Sequence, residues 1–485
     1  MNSYFNHYPL SETILKAIDL MGYKNPTPVQ ERVIPLLLDG KDVIVKSQTG
    51  SGKTASFAIP LVESVFWEDN QAQALVLTPT RELALQVKED IFHLGRFKRI
   101  KCPVLFGKDS FSVQAKELKQ KSHIVVGTPG RVLDHLEQGT LDVSNIHYLV
   151  IDEADEMLNM GFIETVEAII GYLPENRVTT LLSATMPEEV ARLSKRYMNR
   201  PNRVEIEQES LAIDHIEQSF YLVEQNTKKR VLRDLSIIEN PDSAIIFCNT
   251  QLAVESLHEY LLDNQFSCTK IHGGMKQEDR IKMMNQFRRN EKRYLIATDV
   301  AARGIDIDDI SLVINYDMPV KLVNYIHRCG RTGRIGKHGK VINLLISSEK
   351  QILDQFESEL KVEYPRLTPP TQAEVIPYQK AFLKKMSNIE TKESVKTQKI
   401  NQDILRLHIN AGKKTKMRAG DIVGTLCDIQ GVGSDDIGII QVQDVSTYVE
   451  ILNGKGQYVF ETLQTTPIKG RLRKVSLANI EWHKK

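Results

Sequence analysis

Short aliphatic runs alternate with amphipathic stretches along most of the chain. The first series of runs comprises DVIVK (42–46), ALVLT (74–78), HIVVG (123–127), YLVID (148–152) and TTLLSAT (179–185). The second series comprises SAIIFC (243–248), TKIHGG (269–274), YLIATD (294–299), LVINYD (312–317) and VINLLIS (341–347). Apolar runs separated by helical patterns are typical of a parallel sheet with helices on both faces. The pattern therefore predicts two α/β lobes, joined near the polar stretch 199–210, with their polar signatures at the carboxyl ends of the strands.

The pattern changes after EYPRLTPPTQ (363–372). A Pro-bearing, Lys-rich passage to about residue 399 predicts a mostly exposed connector with one short helix. Beyond it, strand-like and helical stretches follow in the order βαββαβ: DILRLHIN (403–410), DIVGTLCDI (421–429), IGIIQVQ (437–443), TYVEIL (447–452), GQYVFETLQ (456–464) and RLRKVSLA (471–478). This is the split βαβ order of ferredoxin-like domains, RNA-recognition modules among them. The predicted divisions are 1–206, 207–364, 365–400 and 401–485.

Composition narrows the class of protein. At about 150 residues per domain, 485 residues suggest about three domains, and 41% hydrophobic with 26% charged residues is typical of a soluble globular chain. We find no apolar run of about 18 residues and no secretory leader, so we expect neither a membrane span nor export, and a cytoplasmic location. The five cysteines include no CxxC pair, which favours reduced thiols over disulfides or a zinc site.

The net charge of +1 hides an asymmetry. From Tyr364 to Lys485 there are 19 Lys and Arg against 12 Asp and Glu, which gives +7 and leaves −6 for the rest. A basic tail is compatible with nucleic-acid binding and equally with a solvated surface.

DVIVKSQTGSGKTASF (42–57) predicts a strand, a glycine-rich turn and the start of a helix. Gly50 and Gly52 would let backbone N–H groups close on phosphate oxygens, Lys53 would reach the terminal phosphates, and Thr54 could bind Mg²⁺. Ser47 stands where the strict pattern has its first glycine, so a plain glycine turn stays an alternative for this motif alone. The expected nucleotide-binding loop comprises Ser47, Gln48, Thr49, Gly50, Ser51, Gly52, Lys53 and Thr54.

LVIDEADEML (149–158) carries an apolar strand into crowded carboxylates, which repel one another unless a cation lies among them. Asp152 at the strand end is placed to hold Mg²⁺, directly or through water. Glu153 can orient and deprotonate the water that attacks the γ-phosphate of ATP. Alone, acidic residues after a strand are usually a solvated turn, but their combination with the phosphate loop predicts a P-loop NTPase.

Asp152-Glu153-Ala154-Asp155 also spells the signature of the DEAD-box RNA helicases, and the chain resembles that family over nearly 360 residues. In order, the motifs are GYKNPTPVQ (22–30), SQTGSGKT (47–54), PTREL (79–83), TPGR (128–131), DEAD (152–155), SAT (183–185), IIFCNT (245–250), ATDVAARGID (297–306) and HRCGRTGR (327–334). Gly107-Lys108, where a Gly-Gly pair is usual, and Cys329 in the last motif are departures. The resemblance implies two tandem RecA-like lobes of a superfamily 2 helicase.

The family mechanism implies roles for individual residues in ATP hydrolysis. Gln30 would pair with adenine and Phe5 would stack on it, while Arg331 and Arg334 would act as arginine fingers on the transition-state charge. Asp306 would contact the ribose. Coupling between the phosphate site and the interlobe face is implied for Ser183, Thr185 and His327. Outside this ensemble, such residues commonly serve as caps or surface groups.

The resemblance also implies that RNA contacts run mostly to the backbone, because a helicase works on many sequences. The positions that match phosphate-gripping residues of the family are Arg81, Thr128, Gly130, Arg131, Thr298 and Arg303.

The βαββαβ tail most resembles that of the bacterial DbpA/YxiN-type subgroup, with an RRM-like RNA-binding domain. This implies a 23S rRNA hairpin and assembling pre-50S ribosomal particles as partners, for a monomeric enzyme. Lys413, Lys414, Lys416 and Arg418 lie in the loop after the first strand and could clamp phosphates, although such a loop is as often simply solvated.

The usual stacking aromatics of an RNA-recognition sheet are largely missing. His408, Ser446 and Tyr448 occupy their places, so we expect a non-standard surface that uses the basic loop, with Arg406 and Tyr448 as lesser candidates.

The sequence thus predicts an ATP-dependent RNA helicase. An ATP-gated RNA clamp or chaperone without unwinding is one alternative, against which the intact Glu153, Arg331 and Arg334 argue. A DNA helicase on the same lobes is the other, and the match at 22–30 and the RNA-like tail speak against it.

Overall fold

In the computed structural model, residues 4–47, 50–206, 216–299, 310–333, 339–387 and 404–478 are described. They form two seven-stranded sheets and one four-stranded sheet. The chain divides into two compact units, of which the first holds 1–206 with 393–485 and the second holds 207–392.

Lobe 1, residues 4–206, is built on a parallel sheet ordered β3-β4-β2-β5-β6-β1-β7. Its strands are β1 Val43–Lys46, β2 Ala74–Leu77, β3 Val104–Leu105, β4 Ile124–Gly127, β5 Tyr148–Ile151, β6 Val178–Ser183 and β7 Asn202–Glu205. Its α-helices are α1 Glu12–Leu20, α2 Pro28–Leu38, α3 Lys53–Ser64, α4 Arg81–Leu94, α5 Phe111–Leu118, α6 Pro129–Glu137, α7 Ala154–Asn159, α8 Ile163–Tyr172 and α9 Glu188–Tyr197.

Alternate residues of these strands enter two apolar cores, one on each face of the sheet. Val76 and Val150 belong to one core, while Leu75 and Leu149 belong to the other. Burial on both faces explains why the strands read as continuous aliphatic runs, and it confirms the predicted parallel α/β lobe.

Lobe 2, residues 216–387, repeats the plan with a parallel sheet ordered β10-β11-β9-β12-β13-β8-β14. Its strands are β8 Ile216–Leu222, β9 Ala244–Cys248, β10 Cys268–Ile271, β11 Tyr294–Thr298, β12 Leu312–Asn315, β13 Gly339–Leu345 and β14 Arg366–Leu367. Its α-helices are α10 Lys228–Glu239, α11 Gln251–Asp263, α12 Gln277–Arg288, α13 Leu322–Cys329, α14 Lys350–Leu360 and α15 Gln372–Ser387.

Helix α15 is mostly exposed, as expected of the connector, but it is longer than predicted and packs one side on lobe 2. Its 16 residues fall in the passage predicted as a mostly exposed connector with one short helix. Val375, Phe382 and Met386 are buried in a core of lobe 2, and Phe382 packs 4.7 Å from the ring of Phe266. Three apolar residues spread over four helical turns gave too weak a pattern for the sequence to reveal this burial.

The C-terminal domain, residues 404–478, is a four-stranded antiparallel sheet ordered β16-β17-β15-β18. It comprises β15 Leu405–Ile409, α16 Ala419–Cys427, β16 Ile437–Val442, β17 Thr447–Ile451, α17 Gly456–Leu463 and β18 Val475–Leu477. The predicted βαββαβ order is therefore confirmed. The domain belongs to the same unit as lobe 1, whose apolar core includes its Ile404 and Leu452.

In the part of the chain that the structure describes, no helix combines the length and apolarity needed to cross a bilayer.

Candidate nucleotide and RNA sites

The carboxyl ends of β1, β5 and β6 meet at one edge of the lobe 1 sheet. Lys46 is paired in register with Ser183, and Ile151 with Leu181. The loops that follow these strands begin at Ser47, Asp152 and the residue after Ser183, so three separate sequence motifs converge there. This is the edge at which parallel α/β sheets bind ligands.

The glycine-rich loop turns through conformations that favour glycine. The φ angles of Gly50 and Gly52 are 81° and 89°, in the left-handed region. A Cβ atom on Gly52 would lie 2.6 Å from Nε2 of Gln30. Lys53, only 6% exposed, begins α3 and donates from Nζ to the carbonyl oxygen of Ser47 at 3.0 Å, which fixes the ammonium beneath the loop.

The amide of Gln30 joins the N-cap of α2 to this loop. Oε1 accepts from the N–H of Thr27 at 3.0 Å, and Nε2 donates to the carbonyl oxygen of Gly52 at 3.2 Å. The Thr27 hydroxyl donates to the carbonyl oxygen of Ser51 at 2.8 Å. The start of α2 is therefore hydrogen-bonded directly to the glycine-rich loop. Adenine pairing by Gln30 stays a prediction.

Phe5 lies in a short 3-10 helix, Tyr4–His7, and its side chain is fully buried in a core of lobe 1. The stacking of Phe5 on adenine stays a prediction.

Asp152 and Glu153 lie at the end of β5, where both are almost wholly buried. The N–H of Glu153 donates to Oδ1 of Asp152 at 3.0 Å, and burial raises the pKa of Asp152 against the opposing charge of Lys53. Glu153 itself has a left-handed φ of 53°, an unfavourable conformation for this residue type that is common at functional sites. The turn thus holds two carboxyl groups beside the phosphate loop.

Asp155 connects the DEAD and SAT motifs, which are separate in the sequence, through hydrogen bonds. Its Oδ2 accepts from the N–H of Thr185 at 2.8 Å and from the Thr185 hydroxyl at 2.9 Å, while its own N–H donates to the Ser183 hydroxyl at 3.2 Å. The carbonyl of Ser183 in turn accepts from the N–H of Ser47 at 3.1 Å. Sequence reasoning named Ser183 and Thr185 but missed Asp155 as the group that holds them.

The residues proposed for a metal have suitable chemistry. Asp152 offers a buried carboxylate and Thr54, in the first turn of α3, a hydroxyl. Mg²⁺ prefers hard oxygen ligands and is usually held by one or two carboxylates with substrate phosphates. A cation bound next to Asp152 would lower the free-energy cost of burying its charged carboxylate.

In lobe 2, Arg331 is 7% exposed and follows α13, whose last turn carries His327. Thr298 is the last residue of β11. Five of the predicted site residues lie outside the described residues: Gln48, Thr49, Arg303, Asp306 and Arg334.

Arg328 is the residue of lobe 2 that sequence reasoning missed. Its guanidinium, 1% exposed, donates from Nε and Nη2 to the two carboxylate oxygens of Asp299 at 2.5 and 2.7 Å. Nη2 also donates to Oδ1 of Asn249 at 2.9 Å, and Nη1 to Oδ1 of Asn315 at 3.1 Å. One arginine thereby joins the three stretches 245–250, 297–306 and 327–334. Its position inside the motif HRCGRTGR was the sequence feature that could have identified it.

The predicted RNA-contacting residues of lobe 1 follow neighbouring strands. Arg81 is the first residue of α4 after β2, and Thr128 is the N-cap of α6 after β4, which pairs with β2. Arg131 donates from Nη1 to the carbonyl oxygen of Asp109 at 3.0 Å and to Oε1 of Gln114 at 2.9 Å. An added Cβ on Gly130 would meet nothing within 4 Å. The strand order therefore brings these four positions to one edge of the sheet.

The basic loop of the C-terminal domain is exposed and ordered by its backbone. The side chains of Lys413, Lys414, Lys416 and Arg418 are exposed. The N–H groups of Lys413 and Lys414 each donate at 2.8 Å, to the carbonyl oxygens of Gln443 and Asp444. Positively charged side chains on a fixed loop suit the phosphates of a nucleic acid.

Three segments of the chain match known families. Residues 27–193 match the DEAD/DEAH box helicase family, residues 227–336 the helicase conserved C-terminal domain, and residues 406–477 the DbpA RNA binding domain.

Curated relatives and solved structures agree with these matches. The ATP-dependent RNA helicase DbpA of Bacillus subtilis (strain 168) is 54% identical over 477 residues, covering 98% of this chain and 100% of the relative. The DEAD-box ATP-dependent RNA helicase CshA of Geobacillus kaustophilus is 40% identical over 81% of this chain and 84% of its own length. Dbp5 of S. cerevisiae, solved bound to RNA and ADP BeF3, is 31% identical with a TM-score of 0.70, covering 79% of this chain and 100% of that chain.

Proposed function

Because this chain belongs to the DEAD-box ATP-dependent RNA helicases and carries a DbpA RNA-binding domain, we propose that it unwinds 23S rRNA in assembling large ribosomal subunits. It is an RNA-stimulated ATPase. The substrate within this activity is the proposed part: a hairpin of 23S rRNA in pre-50S particles, bound by a monomeric cytoplasmic enzyme.

The exposed basic loop at 413–418 is the observation that carries the proposal. Its lysines can bind the backbone of a structured RNA, and the loop is ordered before RNA arrives because its N–H groups are already bonded to the β16–β17 turn. A domain that holds one rRNA hairpin raises the effective concentration of the helicase lobes at nearby duplexes.

At the ATP site, Lys53 would bind the terminal phosphates and Glu153 would orient and deprotonate the attacking water. Thr54 and Asp152 would hold Mg²⁺, which when bound offsets charge on the phosphates. Arg331 and Arg334 stay the proposed arginine fingers, with Asp306 at the ribose and Ser183, Thr185 and His327 as coupling residues. Closure of the two lobes on ATP would bend a bound RNA strand, and hydrolysis would let the lobes separate again.

The RNA path proposed for the lobes uses Arg81, Thr128, Gly130, Arg131, Thr298 and Arg303 for phosphate contacts. Contacts to phosphates do not distinguish one RNA sequence from another, so recognition of the rRNA hairpin would depend on the C-terminal domain.

The test compares ATPase stimulation and duplex separation by 23S rRNA fragments that contain or lack the hairpin, by generic RNA and by DNA. We expect hairpin-containing fragments to activate at the lowest concentration. Equal activation by generic RNA would refute the targeting, ATPase without duplex separation would favour the RNA clamp, and equal activation by DNA would refute RNA specificity.

A further inference from the structure

A buried ion pair joins the C-terminal domain to lobe 1. Nη2 of Arg96 lies 3.0 Å from Oε1 of Glu450, and Nε of Arg96 lies 3.3 Å from Oε2, so the pair is bidentate. The two side chains are 2% and 1% exposed. Arg96 follows α4, and Glu450 lies on β17, 354 residues later.

Other contacts surround this pair. Nζ of Lys101 donates to the carbonyl oxygen of Ile440 at 3.2 Å, and Nζ of Lys16 donates to Oδ1 of Asn453 at 2.7 Å. Arg99 donates to the carbonyl oxygen of Ser434. Ile404 and Leu452 pack in the lobe 1 core, so the contact combines apolar packing with a buried ion pair.

Glu450, at the centre of this contact, lies on the face of the C-terminal sheet that points away from the core of the domain. Leu407, Ile409, Val449 and Ile451 enter the core of the domain, so the intervening residues of β15 and β17 lie on the other face. That face carries Arg406, His408, Tyr448 and Glu450. It is the face on which RNA-recognition domains stack bases.

The other three groups on this face contact residues of their own domain, and His408 and Tyr448 are half-buried. The guanidinium of Arg406, 5% exposed, lies 4.6 Å from the Tyr448 ring centroid. The ring nitrogens of His408 lie 3.2 Å from the Ser476 hydroxyl and 3.0 Å from that of Ser446. Glu450 is 1% exposed and paired with Arg96, so it is not accessible to RNA.

We propose that the part of this sheet face around Glu450 docks the C-terminal domain on lobe 1, and that the face is not the RNA-binding surface of the domain. The Arg96–Glu450 pair selects the docked position, because breaking a buried ion pair by removing one partner leaves an uncompensated charge. Docking leaves the basic loop exposed, so a hairpin held there has a defined position relative to lobe 1. Docking on lobe 1 is inferred from these contacts alone, whereas hairpin binding at the basic loop rests on the proposed function.

The docking test is a cross-link in the full chain without RNA. Lys16→Cys and Asn453→Cys provide two thiols at an observed contact, in a Cys427→Ser background because Cys427 is the exposed native cysteine among the described residues. We expect a short bis-maleimide to join them efficiently. Arg96→Glu should lower the cross-linked fraction at least about tenfold, since two buried carboxylates then oppose each other.

Two further variants identify the pair as the cause. Arg96→Glu with Glu450→Arg should restore a substantial part of the cross-link, whereas Arg192→Glu, the same charge change on an exposed residue of α9, should leave it unchanged. Retention of the cross-link in Arg96→Glu, or no restoration in the double variant, would overturn the docking role of the pair.

The RNA arm repeats the cross-link with a saturating 23S rRNA hairpin and measures hairpin affinity. We expect an unchanged cross-link, and an affinity of Arg96→Glu within about twofold of the native chain. A cross-link abolished by the hairpin, or a clear affinity gain in Arg96→Glu, would show that RNA uses the sheet face. Failure of the native chain to bind the hairpin would refute the proposed substrate and leave the RNA-free docking result intact.

Discussion

The Nε2 atom of Gln30 donates to the carbonyl oxygen of Gly52 at 3.2 Å, so a helix start and a phosphate loop 22 residues apart form one unit. Gly52→Ala would place a methyl group 2.6 Å from that nitrogen at a φ of 89°. We expect ATP affinity to fall at least about tenfold, since both the loop and its contact must shift. Fluorescent ATP-analogue binding measures this, with Gly171→Ala in α8 as the control, because its Cβ would meet nothing within 4 Å. Unchanged affinity in Gly52→Ala would contradict the coupling.

Glu153 is proposed as the base for water, and its removal should separate ATP binding from ATP turnover. Glu153→Gln keeps the shape but not the charge, so we expect turnover to fall by about 10²–10⁴-fold with nucleotide affinity within a few fold of native. Single-turnover phosphate release checks the first part and equilibrium binding the second. Glu164→Gln, exposed on α8, is the matched control. Near-native turnover in Glu153→Gln would assign the base elsewhere.

Arg328 holds three motifs of lobe 2 through geometry that lysine cannot reproduce. Arg328→Lys retains the charge but loses the bidentate bonding to Asp299, and we expect a local destabilisation of about 2–4 kcal/mol. Hydrogen exchange of peptides that span 294–299 would report it as loss of protection. Arg230→Lys, exposed on α10, should change nothing. Equal protection in both variants would argue against a structural role for the Arg328 fork.

Lobe 1 contains two buried histidines that should make it sensitive to acid. Burial lowers the pKa of His123 to about 4 and of His135 to about 4, against an ordinary value of 6.5. Since the unfolded chain binds more protons between these values, stability should fall as pH drops from 6.5 to 4, and this contribution should level off below 4.

Trp67 offers a probe for this effect, because its carbonyl oxygen lies 3.1 Å from Nε2 of His123. In a Trp482→Phe background, the urea midpoint followed by Trp67 fluorescence should fall between pH 7 and pH 5. His123→Asn should reduce that fall, whereas His147→Asn, at an exposed position, should not. A midpoint independent of pH in the native chain would contradict the assignment.

The basic loop predicts a strongly salt-dependent hairpin complex. Replacing Lys413, Lys414 and Lys416 together by Ala should weaken binding and reduce the slope of log affinity against log salt by about 2–3, roughly one per lost phosphate contact. Basal ATPase should remain. Alanine at three other exposed lysines, Lys119, Lys380 and Lys384, controls for net charge. An equal loss in both triple variants would remove the loop from the site.

Local patterns determined most of the architecture and predicted where ATP binds. Strands buried on both faces read as aliphatic runs because their side chains enter a core on either face of the sheet. DEAD and the glycine-rich loop stand directly after such strands, and SAT begins at the last residue of one. Parallel pairing then places the motifs at one sheet edge without further information. The βαββαβ order of the tail was equally legible, since its helices and strands have distinct periodicities.

Only the tertiary structure decided which side chains meet. The Asp155–Thr185 bonds, the Arg328 fork and the burial of α15 depend on segments that are distant along the chain, and no local periodicity encodes them. The same holds for Arg96 and Glu450, which each read as ordinary surface charges until folding removes both from water. A sequence specifies the charge of such residues, but burial and partner geometry set what that charge does.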